Sequence, residues 1–181
     1  MPLRIDSPIP YGNAAGVCLD ESGEMAEVRF APAPHGGPEC LWFCLRVCVD
    51  QPDEQADEQP ELAGQVRWVL THLYNALGAH RPKTIRPVYR TRDKDWTRLP
   101  EGEMIHKADG RWDLYWDLPT PAEWAEMAFC YPYGPPELDA TIDACEDWLV
   151  DIIGFSQNGR GIVRLANDYG NEDSQRAGLY L

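Results

Sequence analysis

No apolar run in this chain approaches the roughly 20 residues that a membrane-crossing helix needs, so no such helix is predicted. Met1 to Pro10 also lacks the continuous apolar core of a secretory signal. A Gly-x-Ser-x-Gly elbow and a Gly-Lys-Ser phosphate loop are both missing, which removes the commonest signatures of serine-hydrolase and P-loop chemistry. Histidine is scarce: there are four, His35, His72, His80 and His106. Their third neighbours are Pro38, Asn75, Lys83 and Asp109, so only His106 begins even a loose His-x-x-carboxylate pair. It lies in a Lys107-Ala108-Asp109-Gly110 turn with no later histidine to complete a zinc set. The residues therefore nominate no catalytic side chain and no metal ligand.

Positive charge is also in short supply. Sixteen Lys and Arg stand against 30 Asp and Glu, a net charge of −14 over 181 residues. Such an excess disfavours nucleic acid and anionic membranes as partners. With no targeting segment visible, the expected compartment is the cytoplasm.

Cysteine is present, six in all, but without any Cys-x-x-Cys pair. Cys40, Cys44 and Cys48 would share a face of a helix at i, i+4 and i+8. Their neighbours point to a strand instead, because Leu41, Phe43, Leu45, Val47 and Val49 alternate with Trp42, Cys44, Arg46 and Cys48. Four strand residues span about 13 Å, too far for one ion. Buried thiols are expected, as suits a reducing compartment. Elemental analysis after dialysis is expected to find no stoichiometric zinc, and one tightly held zinc per chain would overturn the strand assignment.

What the chain does contain is mainly β-pattern. Ala15, Val17 and Leu19, then Ala26, Val28 and Phe30, flank the turn Asp20-Glu21-Ser22-Gly23-Glu24 and predict a hairpin. Ala31 to Pro38 is proline- and glycine-rich and predicts a loop. Asp50 to Glu61, with six acidic residues, predicts an exposed loop without the glycine and spacing of a calcium site. Val66, Trp68, Leu70 and His72 predict a strand with His72 as a hydrogen-bonded core residue. Trp112, Leu114, Trp116 and Leu118 predict a strand with one dry face, and Thr120-Pro121-Ala122-Glu123 resembles a capping box opening a short helical turn.

His80 to Arg98 gathers seven of the sixteen bases. An edge strand blunted by charge is the ordinary reading. The other is a patch at Arg86, Arg90 and Arg92 that attracts acidic tails.

The stretch Ala128-Phe129-Cys130-Tyr131-Pro132-Tyr133 marks a change of pattern. Met127, Phe129, Tyr131 and Tyr133 fall on one face of an extended strand, Ala128, Cys130 and Pro132 on the other, and neither face is polar. The strand at Leu41 is similarly apolar on its second face. Both expectations imply cover from a second domain. Beyond this junction Leu138, Ile142, Cys145 and Leu149 predict an amphipathic helix behind Pro135-Pro136-Glu137. Ile152 to Ser156 and Ile162 to Ala166 predict a hairpin across Asn158-Gly159, and Gly178 to Leu181 a further strand.

Trp42-Phe43-x-Leu45-Arg46-Val47, Pro87-Val88-Tyr89 with Trp96-x-Arg98, Leu118-Pro119 and above all Ala128 to Tyr133 resemble, in this order, the amino-terminal domain of the cytosolic carboxypeptidase branch of zinc metallocarboxypeptidases. Ile153-Gly154-x-Ser156-x-x-Gly159-Arg160 is similar to the first hairpin of the carboxypeptidase domain itself. The resemblance implies a mainly β fold: an antiparallel β-sandwich over 1–134, then a helix and hairpin over 135–181 that begin a truncated α/β carboxypeptidase domain. It implies that this chain ends before the family's zinc motif, so zinc would belong to the missing catalytic domain and no cofactor to this chain. It further implies an accessory domain that stabilises and helps gate a catalytic domain acting on the C-terminal tails of peptides or proteins. Trp42, Phe129, Tyr131, Pro132 and Tyr133 would then make the interdomain contact. From a different class, a free-standing β-sandwich that binds peptide or carbohydrate on Trp96 or Trp124 remains open. Exposed aromatics along a groove would favour that module, and an apolar patch around Tyr131 and Tyr133 the accessory domain.

Overall fold

The computed structural model describes residues 2–34, 40, 42–50, 64–73 and 84–166. The chain divides into two compact units, Met1–Pro132 and Tyr133–Leu181. The acidic loop from residue 51 onward, His35, His80 and the expected strand at Gly178 to Leu181 lie outside the described residues.

The first unit is a two-sheet sandwich. Its strands are β1 (Leu3–Asp6), β2 (Ala15–Asp20), β3 (Ala26–Ala31), β4 (Cys44–Val49), β5 (Gln65–Leu70), β6 (Val88–Thr91), β7 (Lys94–Arg98), β8 (Glu103–His106), β9 (Trp112–Pro119) and β10 (Trp124–Ala128). Sheet I has the order β1-β4-β10-β6-β7 and sheet II the order β2-β3-β5-β9-β8. Alternation at each strand sends one set of side chains inward. Leu45, Val47, Ala125 and Met127 from sheet I meet Val28, Phe30, Trp68, Leu70 and Leu114 from sheet II in one continuous core. Aromatic rings meet within it, tilted or edge to face: Phe30 lies 5.1 Å from Phe43 and 6.4 Å from Trp68, and Trp68 lies 6.0 Å from Tyr89, spacings at which such rings attract.

The antiparallel sandwich is as the resemblance implied, with one parallel pair, β3 against β5. Several local expectations are corrected. The strand placed at Met127 to Tyr133 runs from Trp124 to Ala128 instead. Phe129 still donates its N–H to the Phe43 carbonyl at 2.9 Å, after which Pro132, lacking an N–H, can add nothing to a ladder. The helical turn at Thr120 does not form, because sheet bonds take the segment: β9 extends to Pro119, and the Glu123 carbonyl accepts the Val49 N–H at 2.7 Å. His72 is exposed, beyond the end of β5, with φ of 56°. The chain turns there after Thr71 donates both its N–H and its hydroxyl to the Phe30 carbonyl. Asp113, on the face of β9 expected to be wet, is buried and paired with Lys107 at 2.7 Å.

The second unit holds α1 (Pro135–Asp143) and a hairpin, β11 (Leu149–Phe155) with β12 (Gly161–Ala166). Two prolines at the start and Glu137, which accepts the Gly134 N–H at 2.9 Å, open the helix. It closes at Ala144, so Cys145 and Leu149 do not extend its apolar stripe, and Leu149 begins β11. The hairpin turns through Ser156 to Arg160, with Gly159 at φ of 73°, a conformation that glycine adopts without a Cβ clash. No helix among the described residues is long and apolar enough to cross a membrane.

Candidate docking surfaces

Two surfaces stand out, one in each unit. The outer face of sheet I is built on strand register. Asp6 pairs with Arg46, Arg46 with Glu126, and Glu126 with Arg90, so these four side chains form a row across β1, β4, β10 and β6. Glu126 is only 2% exposed and holds both guanidinium groups. Its Oε1 accepts from Arg46 Nε at 2.8 Å and Nη2 at 2.5 Å, and its Oε2 from Arg90 Nε at 2.6 Å. Charge-assisted bonds of this kind offset the cost of burying the carboxylate. The arginines in turn lie over indoles. Arg46 is 4.7 Å from the Trp124 ring, and Arg90 is 4.7 Å from Trp96 and 5.5 Å from Trp124. A cation over an aromatic face is attracted by the ring quadrupole.

This stack explains why the second faces of β4 and β10 are apolar in the sequence. They are covered within the first unit, by Trp42, Trp96, Ile9 and Tyr11 around buried Cys44, Val88 and Ala128. Trp42 donates its Nε1–H to the Tyr11 carbonyl at 2.8 Å. Phe129 packs inward on Phe43, with ring centroids 5.8 Å apart. Pro132 is buried. Tyr131 and Tyr133, by contrast, are 51% and 62% exposed. Tyr131 lies beneath Arg98 at 5.3 Å, while the Tyr133 hydroxyl shares a hydrogen bond with that of Thr141. Of the five residues expected at an interdomain contact, Trp42 and Phe129 thus pack within the sandwich, Pro132 is buried, and the two tyrosines are exposed.

The three arginines expected to attract acidic tails are also engaged. Arg90 pairs with Glu126, Arg92 with Glu123, and Arg86 donates to the Leu99 carbonyl at 3.0 Å. This pairing leaves less positive field than the count of bases suggests. It was not legible in the sequence, since its carboxylates lie more than 30 positions away.

The second surface is the hairpin of the second unit. Leu149, Val150, Ile152, Ile153, Phe155 and Ile162 are all exposed, Phe155 by 71%. Ile152 and Ile153 are neighbours at 57% and 58%, and adjacent strand residues point to opposite faces. Both faces of the hairpin are therefore apolar and bare among the described residues, the pattern of a strand that belongs inside a sheet covered on two sides.

A β-sandwich followed by a helix and such a hairpin matches solved structures. The architecture is shared with metallo-carboxypeptidases. The metallo-carboxypeptidase from Burkholderia cenocepacia aligns over 91% of this chain with a TM-score of 0.62 and 15% identity. The one from Pseudomonas aeruginosa, in complex with (2-guanidinoethylmercapto)succinic acid, aligns over 90% with a TM-score of 0.61 and 19% identity. This chain spans 39% of the length of each. At these identities the likeness is one of fold. Neither a protein-family model nor a curated protein matches the sequence.

No three His, Cys, Asp or Glu side chains gather as a metal site requires among the described residues. Cys40 and Cys44 are buried and Cys48 half-buried, all as free thiols. Burial, with the Glu126 carboxylate adding to it, pushes the Cys44 thiol up to about 12. Only thiolate reacts rapidly with aromatic disulfides. At pH 8 the exposed Cys18 and Cys130 are expected to react at once, and Cys44 only after denaturant is added. Mass mapping of the labelled cysteines checks this, and fast labelling of Cys44 in the folded chain would contradict its burial.

Proposed function

We propose that this chain is the amino-terminal accessory domain, with the opening helix and hairpin of the catalytic domain, of a zinc metallocarboxypeptidase that removes C-terminal residues from peptides or protein tails. The observation that carries this reading is the fold match, which takes in nine-tenths of this chain but 39% of the matched proteins. The bare hairpin supports it, because the helices that pack on an α/β sheet would cover both of its faces. The division between Pro132 and Tyr133 agrees with a sandwich followed by a second domain. Exposed Tyr131 and Tyr133 suit a contact between the two, and the sandwich would serve to stabilise and help gate the catalytic domain. The described residues do not fit a zinc site, and no catalytic step is assigned to them; in this reading the metal belongs to the catalytic domain. A cytoplasmic setting fits the free cysteines.

The rival binding module is disfavoured by the indoles. Trp96 and Trp124 are half-buried and already stacked against arginines, rather than standing free along a groove.

The coding sequence downstream of the Leu181 codon tests the proposal. It is expected to encode a His-x-x-Glu motif within a short distance, and the longer product to release C-terminal residues from peptides, with loss on chelation and recovery with zinc. A stop codon in place of that motif would overturn the reading.

A further inference from the structure

The first unit contains a feature that the carboxypeptidase reading does not use. Between the β6–β7 hairpin and the link from β9 to β10 lies a groove of about 520 Å³. This is within the usual range for small-molecule sites, roughly 300–1,000 Å³. The groove is continuous with the core. Tyr89, Leu99 and Leu118 line it and also pack among the core residues between the two sheets, and Pro119 and Pro121 extend the apolar wall. The Arg92–Glu123 ion pair ties the hairpin to the facing link.

Strand register decides which polar groups face this space. Tyr89 is opposite Met127 and Thr91 is opposite Ala125, both core residues, while Thr97 is opposite Tyr89. Cross-strand partners share a face of the sheet. Apart from Lys94, which stands exposed beside the turn, the polar side chains that β6 and β7 bring to the groove on this inner face are therefore hydroxyls. Tyr89 carries the most information. Its ring stands nearly perpendicular to that of Trp68 on the opposite sheet, 6.0 Å away, and its hydroxyl is buried with no hydrogen-bond partner among the described residues. Burial pushes its pKa up to about 12, so the group stays protonated and able to donate. A buried hydroxyl left unpaired carries a desolvation cost that an incoming acceptor would relieve. The charged residues of the lining add no preference for either sign. Arg90, Arg92 and Lys94 are matched in number by Asp93, Asp95 and Glu123, and the two arginines are held by Glu126 and Glu123. A charged ligand group would have to leave water for a wall of carbon and hydroxyls, which costs far more than burying a neutral one.

We propose that this groove binds a small, uncharged aromatic molecule of the phenol class. Its ring lies between Leu99 and Leu118, beside the Tyr89 ring, which favours an aromatic neighbour, and its oxygen accepts the Tyr89 hydroxyl hydrogen. This assignment stands apart from the carboxypeptidase reading, because it uses only the sandwich.

Titration of the ¹⁵N-labelled 181-residue chain with 4-ethylphenol, neutral at ordinary pH, tests it. Saturable amide shifts are expected at Thr91, Thr97 and Leu118. Two analogues that carry a charge in place of the neutral oxygen, 4-ethylbenzoate and 4-ethylbenzylammonium, are expected to bind at least about tenfold more weakly. Thr97→Trp, at an exposed position opposite Tyr89 on the inner face, is expected to abolish the shifts by filling the groove. Tyr89→Phe keeps the wall but removes the donor. It is expected to weaken 4-ethylphenol by about threefold or more while leaving ethylbenzene unchanged, and gives a second readout should Thr97→Trp not fold. Absence of saturable shifts, equal binding of the charged analogues, shifts that persist in folded Thr97→Trp, or unchanged 4-ethylphenol binding by Tyr89→Phe would each overturn the proposal.

Discussion

The 181-residue chain is expected to raise the fluorescence of a hydrophobic dye and to associate weakly with itself. The cause is the hairpin of β11 and β12, whose apolar side chains are bare on both faces. Ile152, Phe155 and Ile162 are 57%, 71% and 47% exposed. A fully buried side chain of this size is worth about 1.5–3 kcal/mol, so covering the exposed parts of all three would recover roughly 3–5 kcal/mol per chain. A symmetric pair would double that, against an association cost of about 4–15 kcal/mol. The balance favours weak, concentration-dependent association over a tight dimer, and makes the dye the more sensitive probe. Replacing the three residues together by Ser should remove the dye signal and return a monomer in sedimentation, while leaving the core of the first unit intact. If the chain sediments as a clean monomer without binding dye, the hairpin does not need a partner and the second domain loses the support drawn from its exposed faces. In the longer protein proposed above, the same triple substitution is expected to destabilise rather than solubilise, because there the residues would be covered.

Glu126→Gln is expected to be the most damaging conservative change in the sandwich. The substitution keeps size and shape but removes the charge that holds Arg46 and Arg90. Breaking a buried ion pair by removing one partner costs about 3–5 kcal/mol. Here the arginine side chains keep 26% and 36% of their exposure, so water compensates in part, and a loss of about 2–4 kcal/mol is expected in equilibrium denaturation. Replacing all three residues, with Met at 46 and 90 and Leu at 126, should recover much of that loss, since no charge is then left unpaired. A loss below about 0.5 kcal/mol for Glu126→Gln would show that solvent satisfies the guanidinium groups and that the row is surface decoration.

Much of the β architecture is legible from alternation alone. The hairpin of β2 and β3, the strands β4, β5 and β9, and the Asn158-Gly159 hairpin all follow from a period of two with turn residues between. Other elements left little trace. The short β1 and β8 have four residues each, too few for a pattern to emerge. The hairpin of β6 and β7 lies within a basic segment where charge hides the alternation of Tyr89, Thr91 and Trp96. The helical turn at Thr120 was suggested by a good capping pattern, and the ladder bonds of β9 and β10 prevailed over it. His72 was expected in the core because it continues the parity of Val66, Trp68 and Leu70, but the strand ends at Leu70.

By itself the sequence determined that the chain is mainly β, that its pattern changes near Tyr131-Pro132-Tyr133, and that its motif order resembles metallocarboxypeptidases. Each of these depends on local periodicity, backbone restriction by proline, or short motifs, which neighbouring residues express without help from the rest of the fold. Only the tertiary structure decided what covers the apolar second faces of β4 and β10. The sequence implied a separate domain, and the cover comes instead from side chains of the same sandwich. The outcome depended on the register that sets Arg46, Glu126 and Arg90 side by side from strands as many as 80 residues apart. A buried carboxylate and the two arginines it holds look in sequence like three unrelated surface charges, because their interaction is a property of cross-strand distance.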